Sequence, residues 1–236
     1  IGGISEKLVE NHRELNALAK KIAPYRLTTI AHVTMTPKDG PMHEITDVES
    51  YNHYFGWYGG DVSMYGDWFD NFHKKYPNKA IGMSEYGCEA LNWHTSNPEQ
   101  GDYTEEYQAY YHEEVIKQIA KRPYMWATHV WNMFDFGVPM WSRGGVPARN
   151  LKGLITFDRK IKKDSYYWYK ANWSKDPVLY LTQRRNIDRE RKHTSVTVYS
   201  NIGTPQVYLN GKELTGIRQG YTDVHYVLDD VTLEQG

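Results

Sequence analysis

Apolar positions recur along this chain at two alternating spacings, helical stretches followed by short compact runs, and the alternation itself predicts the fold. Between Ser5 and Ile22, the residues Leu8, Val9, Leu15, Leu18, Ala19 and Ile22 fall at helical spacing and Pro24 closes the run, which predicts an amphipathic helix. Residues 26–33 (RLTTIAHV) are rich in Thr, Ile and Val and are followed by Pro37, Asp39, Gly40 and Pro41, so a buried strand and a loop are expected. A second strand is expected over residues 48–52. Beyond Gly59-Gly60, Asp61 is placed to cap a helix carrying Tyr65, Trp68, Phe69, Phe72 and Tyr76 on one face and ending at Pro77. A third strand follows over residues 80–85 (AIGMSE), and a third helix over residues 104–122. In that helix Glu105 and Glu106 occupy the first turn, Lys121 and Arg122 the last, and Tyr107, Tyr111, Val115 and Ile119 form an i, i+4 stripe. A fourth strand over residues 125–131 (MWATHVW), a long Gly-rich loop through Gly153 and a short helix around residues 164–172 complete the series.

Strands and helices alternating in this way predict parallel βα units. The four units here make half of an eight-stranded barrel, and a complete (β/α)8 barrel takes about 250 residues, so residues 1–173 are expected to form an open half-barrel. The competing open doubly wound sheet lacks its usual phosphate loop, since neither GxGxxG nor GxxxxGK[ST] occurs. After Pro177 the texture changes to short β-rich runs, PVLYL, SVTVYS and QVYLN, with Asn210-Gly211 as a two-residue hairpin signal. At about 60 residues this stretch is shorter than the roughly 100 of an immunoglobulin-type sandwich, so a partial sandwich is expected. The boundary is placed between residues 1–174 and 175–236.

Composition narrows the partners. Charged residues make up 24% and apolar ones 40%, and no apolar run approaches the roughly 18 to 20 residues of a membrane helix, so a membrane partner is not expected. The net charge of -1 offers no basic field for nucleic acid, and the cluster Lys160 to Lys163 reads as a solvated helix start. Aromatic residues reach 14%, with 8 Trp and 20 Tyr, which suits the C–H faces of sugar rings as well as ordinary cores. The single Cys88 excludes a disulfide within the chain. Residue 1 is Ile and no leader is recognisable, so the natural start is expected upstream, and the compartment stays open between bacterial periplasm and cytoplasm.

In a parallel barrel the chemistry sits at the C-terminal ends of strands, which directs attention to Asn52 with Tyr54, Glu85 with Tyr86, and His129 with Trp131 and Asn132. A carboxylate closing a buried strand is either a salt-bridged structural group or a functional one. A retaining glycosidase needs such a carboxylate to attack the anomeric carbon, with a second carboxyl group roughly 5 to 5.5 Å away as acid/base. Tyr54, from the adjacent strand end, is a candidate donor that would orient Glu85 and stabilise its charge.

The stretches SYNHYFGWYGGD (50–61), MSEYGCEA (83–90), THVWNMFDF (128–136) and NLKGLITFDRKIKKDSYYWYKANW (150–173) resemble, in this order, the family-2 glycoside hydrolases of the β-galactosidase and β-glucuronidase group. The tail SNIGTPQVYLNGKEL resembles the sandwich module that follows the barrel in bacterial members. The resemblance implies an α/β fold, the second half of a TIM barrel followed by part of an immunoglobulin-like β-sandwich. It implies Glu85 of SEYG as the nucleophile, Tyr54 as the tyrosine that hydrogen-bonds it, Asn52 as an asparagine close by, and Trp131 as an aromatic lining of the sugar site. Trp57 falls in a matched motif and is equally well explained by packing. The family's acid/base is the Glu of an Asn-Glu pair, and no Asn-Glu dipeptide occurs in this chain, so the partner carboxyl is expected upstream and the chain alone is expected to be inactive.

Asn150 and Lys152 resemble the N-x-K element that holds a sugar carboxylate in β-glucuronidase-like members. The same step occurs in β-galactosidase-like members, and the following DRKIKKDSYYWYKANW is closer to those. Hydrolysis of β-galactosides is therefore the preferred expectation, with uronide hydrolysis and a non-catalytic carbohydrate-binding fragment as alternatives. Trp93 and Trp141, on loops after the last two strands, are further candidates for sugar contact. No metal or cofactor is expected: His43-Glu44 has Asp47 where HExxH requires His. Ser84 lacks the second Gly of a GxSxG elbow. Cys88 is expected as a buried thiol, and Tyr166, Tyr167, Trp168 and Tyr169 as helix packing.

Overall fold

Four strands, β1 (Ala31–Val33), β2 (Glu49–Asn52), β3 (Ile81–Tyr86) and β4 (Met125–Val130), lie parallel and side by side in chain order. The computed structural model describes residues 3–189 and 191–234. Its contacts group the chain into two compact units, Ile1–Tyr86 with Gln118–Val130, and Gly87–Lys117 with Trp131–Gly236.

The first unit holds the parallel sheet. Among the described residues β1 and β4 each have one strand neighbour, so the four strands form an open sheet, as the alternating pattern predicts. Helix α1 (Glu6–Ile22) starts where Ser5 Oγ accepts the Leu8 amide at 3.2 Å. Of its apolar stripe only Val9 is buried, while Leu15, Leu18 and Ile22 are exposed. Helix α2 (Met64–Lys75) buries Tyr65, Phe69 and Phe72, and the ring of Tyr51 from β2 meets Trp68 at 4.7 Å and Phe72 at 6.1 Å.

Two local expectations are corrected here. The strand expected over residues 26–33 is formed only at its end, because the Thr28 amide and hydroxyl are both taken by the Asp47 carboxylate, at 2.7 and 2.9 Å. Ser63, not Asp61, precedes α2, and the Asp61 carboxylate instead accepts the Ser63 amide at 2.8 Å. One irregularity positions the site. The β2–β3 register runs from Tyr51 opposite Met83 to Asn52 opposite Glu85, so Ser84 is an extra residue that re-aims the end of β3.

The second unit contains α3 (Glu105–Ile119) apart from its last two residues, and α4 (Asp164–Trp173). Tyr107, Tyr111, Val115 and Ile119 of α3 are buried, which is the predicted stripe. Trp168 and Tyr169 of α4 are buried, as packing requires. The Gly-rich loop is not wholly irregular: β5 (Phe136–Gly137) and β6 (Arg149–Asn150) pair antiparallel within it. Beyond α4, β7 (Leu179–Leu181), β8 (His193–Ser200), β11 (Arg218–Gln219) and β12 (His225–Thr232) form an antiparallel sheet in the order β11-β12-β8-β7. Strands β9 (Val207–Leu209) and β10 (Lys212–Leu214) form the hairpin, with Asn210 and Gly211 at φ 51° and 80°, both in the left-handed region that a type I′ turn needs.

Lys163 overturns its reading as part of a solvated helix start. It is fully buried, and its Nζ donates to Ala90 O at 2.7 Å, Leu151 O at 2.9 Å and Asp135 Oδ1 at 3.0 Å. A charge is tolerated there because a carboxylate and two carbonyls replace water.

Candidate active site

Glu85 lies one residue from the end of β3, and Tyr54 lies two residues beyond β2. The parallel register sets Asn52 opposite Glu85, and the His53 amide extends the ladder by donating to Glu85 O at 2.9 Å. The next residue, Tyr54, then donates its hydroxyl to Glu85 Oε2 at 2.7 Å. Its ring sits 5.0 Å from that of Tyr58, and Tyr65 donates to His53 O at 2.9 Å, which fixes the turn between the two tyrosines. Burial, then the hydrogen bond to Glu85, pushes the Tyr54 hydroxyl well above its ordinary pKa, so it keeps its proton and acts as a donor.

Asn52 belongs to the same group: its Oδ1 accepts the Ser84 hydroxyl at 2.7 Å. Ser84 was not legible as a site residue, because only the β-bulge turns its hydroxyl toward Asn52. His53 is no acid/base partner, since burial lowers its pKa to about 3 and its ring is stacked 4.9 Å from Phe55. His129 is exposed, with Nδ1 3.3 Å from Met83 O.

The remaining predicted residues lie in the second unit. Asn150 Oδ1 accepts the Lys152 amide at 3.0 Å, an Asx turn that shapes the N-x-K step, and Lys152 O accepts the Asn132 amide at 3.0 Å. The Lys152 side chain is buried, with Nζ 3.6 Å from Glu89 Oε2 and 5.4 Å from the centre of the Trp141 ring. Burial lowers its pKa to about 8 against the opposing pull of the Glu89 charge. Trp131 is half-buried and meets Phe136 edge-on at 5.8 Å. The glycine of SEYG has a steric cause: a Cβ on Gly87 would lie 2.1 Å from Trp131 O. Trp141 carries a buried indole N–H with no hydrogen-bond partner among the described residues. Trp93 is tied to the start of α3 instead, its indole donating to Tyr103 O at 2.7 Å and its carbonyl accepting the Glu105 amide at 3.0 Å. Trp57, which belongs to the first unit, is buried, in keeping with packing.

Residues 5–176 match the sequence profile "Glycosyl hydrolases family 2, TIM barrel domain", which is most of the chain. The chain belongs to glycosyl hydrolase family 2. Among curated relatives of this family-2 chain, a β-glucuronidase of Bacteroides fragilis is 40% identical over 215 residues, covering 88% of the chain and 30% of that protein. Among solved structures, the FMN-binding β-glucuronidase from Facaelibacterium prausnitzii L2-6 is 52% identical with a TM-score of 0.93, covering 100% of the chain and 36% of that one. A Bacteroides fragilis structure described provisionally as a β-galactosidase is 51% identical with a TM-score of 0.89, covering 97% and 35%. The family-2 chain thus spans about a third of the length of these relatives.

Among the described residues of this family-2 chain, two clusters have the composition of a metal site, and internal hydrogen bonds account for both. Glu49 Oε2 is 3.1 Å from His32 Nε2 and 2.8 Å from His43 Nδ1, while His43 Nε2 faces Pro37 O at 2.7 Å. His43 Nδ1 faces Glu49 and its Nε2 faces Pro37 O and, at 3.2 Å, the Tyr51 hydroxyl, an arrangement that favours the charged ring. Burial opposes that charge, but the bonds to Glu49 and Pro37 outweigh it and raise the pKa. In the other cluster Asp164 accepts from His94 at 3.0 Å, Tyr180 at 2.6 Å and the Gln183 amide at 2.9 Å, and the Arg185 Nε donates to Glu105 at 2.8 Å. Arg185 supplies the cation there. Cys88 is buried, and burial raises its thiol pKa well above the usual range.

Proposed function

We propose that this chain carries the nucleophile of a retaining β-glycosidase whose substrates are β-glucuronides. The observation that carries the first half is the 2.7 Å bond from Tyr54 to Glu85 at adjacent parallel strand ends. It supplies an oriented carboxylate and a protonated hydroxyl that holds it and stabilises its negative charge until it attacks. Glu85 would attack the anomeric carbon to form a glycosyl-enzyme, and a second carboxyl would protonate the leaving oxygen and then activate water. That second group would come from a part of the protein outside residues 1–236, since no Asn-Glu pair occurs within them.

The sugar preference is where the expectation from sequence changes. Lys152 in the N-x-K element offers a buried cation for a sugar carboxylate, and the Bacteroides and Facaelibacterium relatives are named β-glucuronidases. Asn150 would orient the element, with Trp131 and Trp141 against the sugar face and Asn52 hydrogen-bonding a ring hydroxyl. Trp93 would be a further sugar contact, with its indole N–H already held by Tyr103 O. A second reading, β-galactoside hydrolysis, is favoured by the provisional description of the 51% identical Bacteroides structure. We read residues 175–236 as a following module of the immunoglobulin-like sandwich kind, on the strength of its antiparallel sheet.

The deciding experiment compares kcat/KM of the full-length protein on nitrophenyl β-glucuronide and β-galactoside. A glucuronide preference that Lys152→Met removes supports the uronide reading; a galactoside preference defeats it. Turnover that survives Glu85→Ala on both substrates would remove the nucleophile.

A further inference from the structure

Glu89 follows Glu85 by four positions in SEYGCEA and has no part in the roles described so far. Its side chain is 1% exposed, and both of its oxygens point at the N-x-K element. Oε1 accepts the Leu151 amide at 3.1 Å, and Oε2 lies 3.6 Å from Lys152 Nζ. The two segments are also joined through their backbones, with the Ala90 amide donating to Leu151 O at 3.1 Å. Tyr103 adds a hydroxyl bond to the same carboxylate. One carboxylate thus grips the middle residue of the element by its main chain and the last residue by its charge.

Among the described residues, the charged and titratable groups that act most strongly on Lys152 are Glu89, the Cys88 thiol and the Arg143 guanidinium, the last of which opposes the ammonium. An alkylammonium stripped of water gives up its proton unless a counter-charge holds it. Burial already brings Lys152 down to about 8 with Glu89 in place. The thiol, kept protonated by its own burial, supplies no negative charge. Glu89 is therefore the group on which the charge of Lys152 depends.

We infer that Glu89 is the positioning residue of the N-x-K element: it fixes the segment at Leu151 and keeps Lys152 cationic, so that recognition of a sugar carboxylate depends on Glu89 without Glu89 binding the sugar. The inference rests on the proposed role of Lys152 and adds to it a residue that local motif reading left without a task. It also states a direction. A carboxylate beside the lysine could instead have repelled an anionic sugar, and in that case its removal would improve uronide binding.

The test measures KM for nitrophenyl β-glucuronide in the full-length protein as a function of pH, for wild type, Glu89→Gln, Glu89→Asp and Lys152→Met. At about pH 7.5 Glu89→Gln is expected to raise KM at least about tenfold, and the ratio to wild type should fall toward one by about pH 5.5 as protons in solution restore the ammonium. Glu89→Asp keeps the charge one methylene further back, so a smaller rise with the same decline at low pH is expected; it also carries the test if the Gln variant does not fold. A rise that is the same at every pH would mean a merely structural role, and an unchanged or lowered KM would mean the charge is not needed; either overturns the inference. The Lys152→Met arm separates the two levels. An unchanged glucuronide KM there removes the uronide reading itself, whereas a raised KM in Lys152→Met with no pH-dependent change in the Glu89 variants removes only the role of Glu89.

Discussion

Tyr54 and Glu85 emerge from neighbouring parallel strands and meet through a single hydrogen bond of 2.7 Å in which the tyrosine is the donor. The bond depends on register. Moving β3 by one residue against β2 would present Ser84 or Tyr86 where Glu85 stands, and the β-bulge at Ser84 is what prevents it.

Removing that donor should slow chemistry while sparing the fold. In the full-length protein Tyr54→Phe is expected to lower kcat by roughly 10²–10³-fold, the usual effect of deleting one donor aimed at developing charge. Steady-state kinetics beside a thermal melt would check it. A kcat within about threefold of wild type would deny Tyr54 an orienting role.

Gly87 tests the packing behind the same motif. Because an added Cβ would lie 2.1 Å from a main-chain oxygen, that of Trp131, the backbone must shift in Gly87→Ala. The expected loss is about 1–3 kcal/mol, read from the urea midpoint. Unchanged stability would mean that the close approach is easily relaxed.

The Glu49 cluster should leave a signature in pH. Burial works against ionised Glu49, but bonds to His32 and His43 pull its folded pKa below the ordinary value, so its stabilisation is present above roughly pH 4.3 and is lost as pH falls through the lower folded value. His43 is raised, so its stabilisation is present below roughly pH 6.5 and is lost as pH rises through its folded value. The difference between wild type and Glu49→Gln should therefore be largest between about pH 4.5 and 6.5, at about 3–5 kcal/mol, and shrink on both sides. Melting temperatures of both proteins across pH would show it, and a flat difference would mean that no ion pair exists.

Lys163 and Asp135 form a buried pair at 3.0 Å. Lys163→Met strands the carboxylate and is expected to cost about 3–5 kcal/mol, whereas Lys163→Met combined with Asp135→Leu should recover most of it. A double-mutant cycle by chemical denaturation decides; additive losses would show that the two groups do not interact.

Reading the chain residue by residue recovered the elements whose causes are local. The buried i, i+4 stripe of α3, the Asn210-Gly211 hairpin and the order of the four parallel strands all follow from neighbours in sequence. What was misread or missed involves partners far away along the chain. In sequence Lys163 reads as one of three solvated lysines, but it donates a hydrogen bond to Ala90 O, 73 residues distant. Ser84 and Glu89 lie inside the motif of residues 83–90, but register and a loop more than 60 residues away determine what their side chains meet.

By itself, then, the sequence determined the βα alternation, the strand-end position of Glu85 and the likeness to family 2, since apolar periodicity and short motifs are local properties. Only the tertiary structure decided that Tyr54 donates to Glu85, that Lys152 is buried against Glu89, and that Lys163 lies inside. Each of these is a polar group removed from water, and whether such a group is tolerable depends on a partner that chain folding, not chain order, brings within reach.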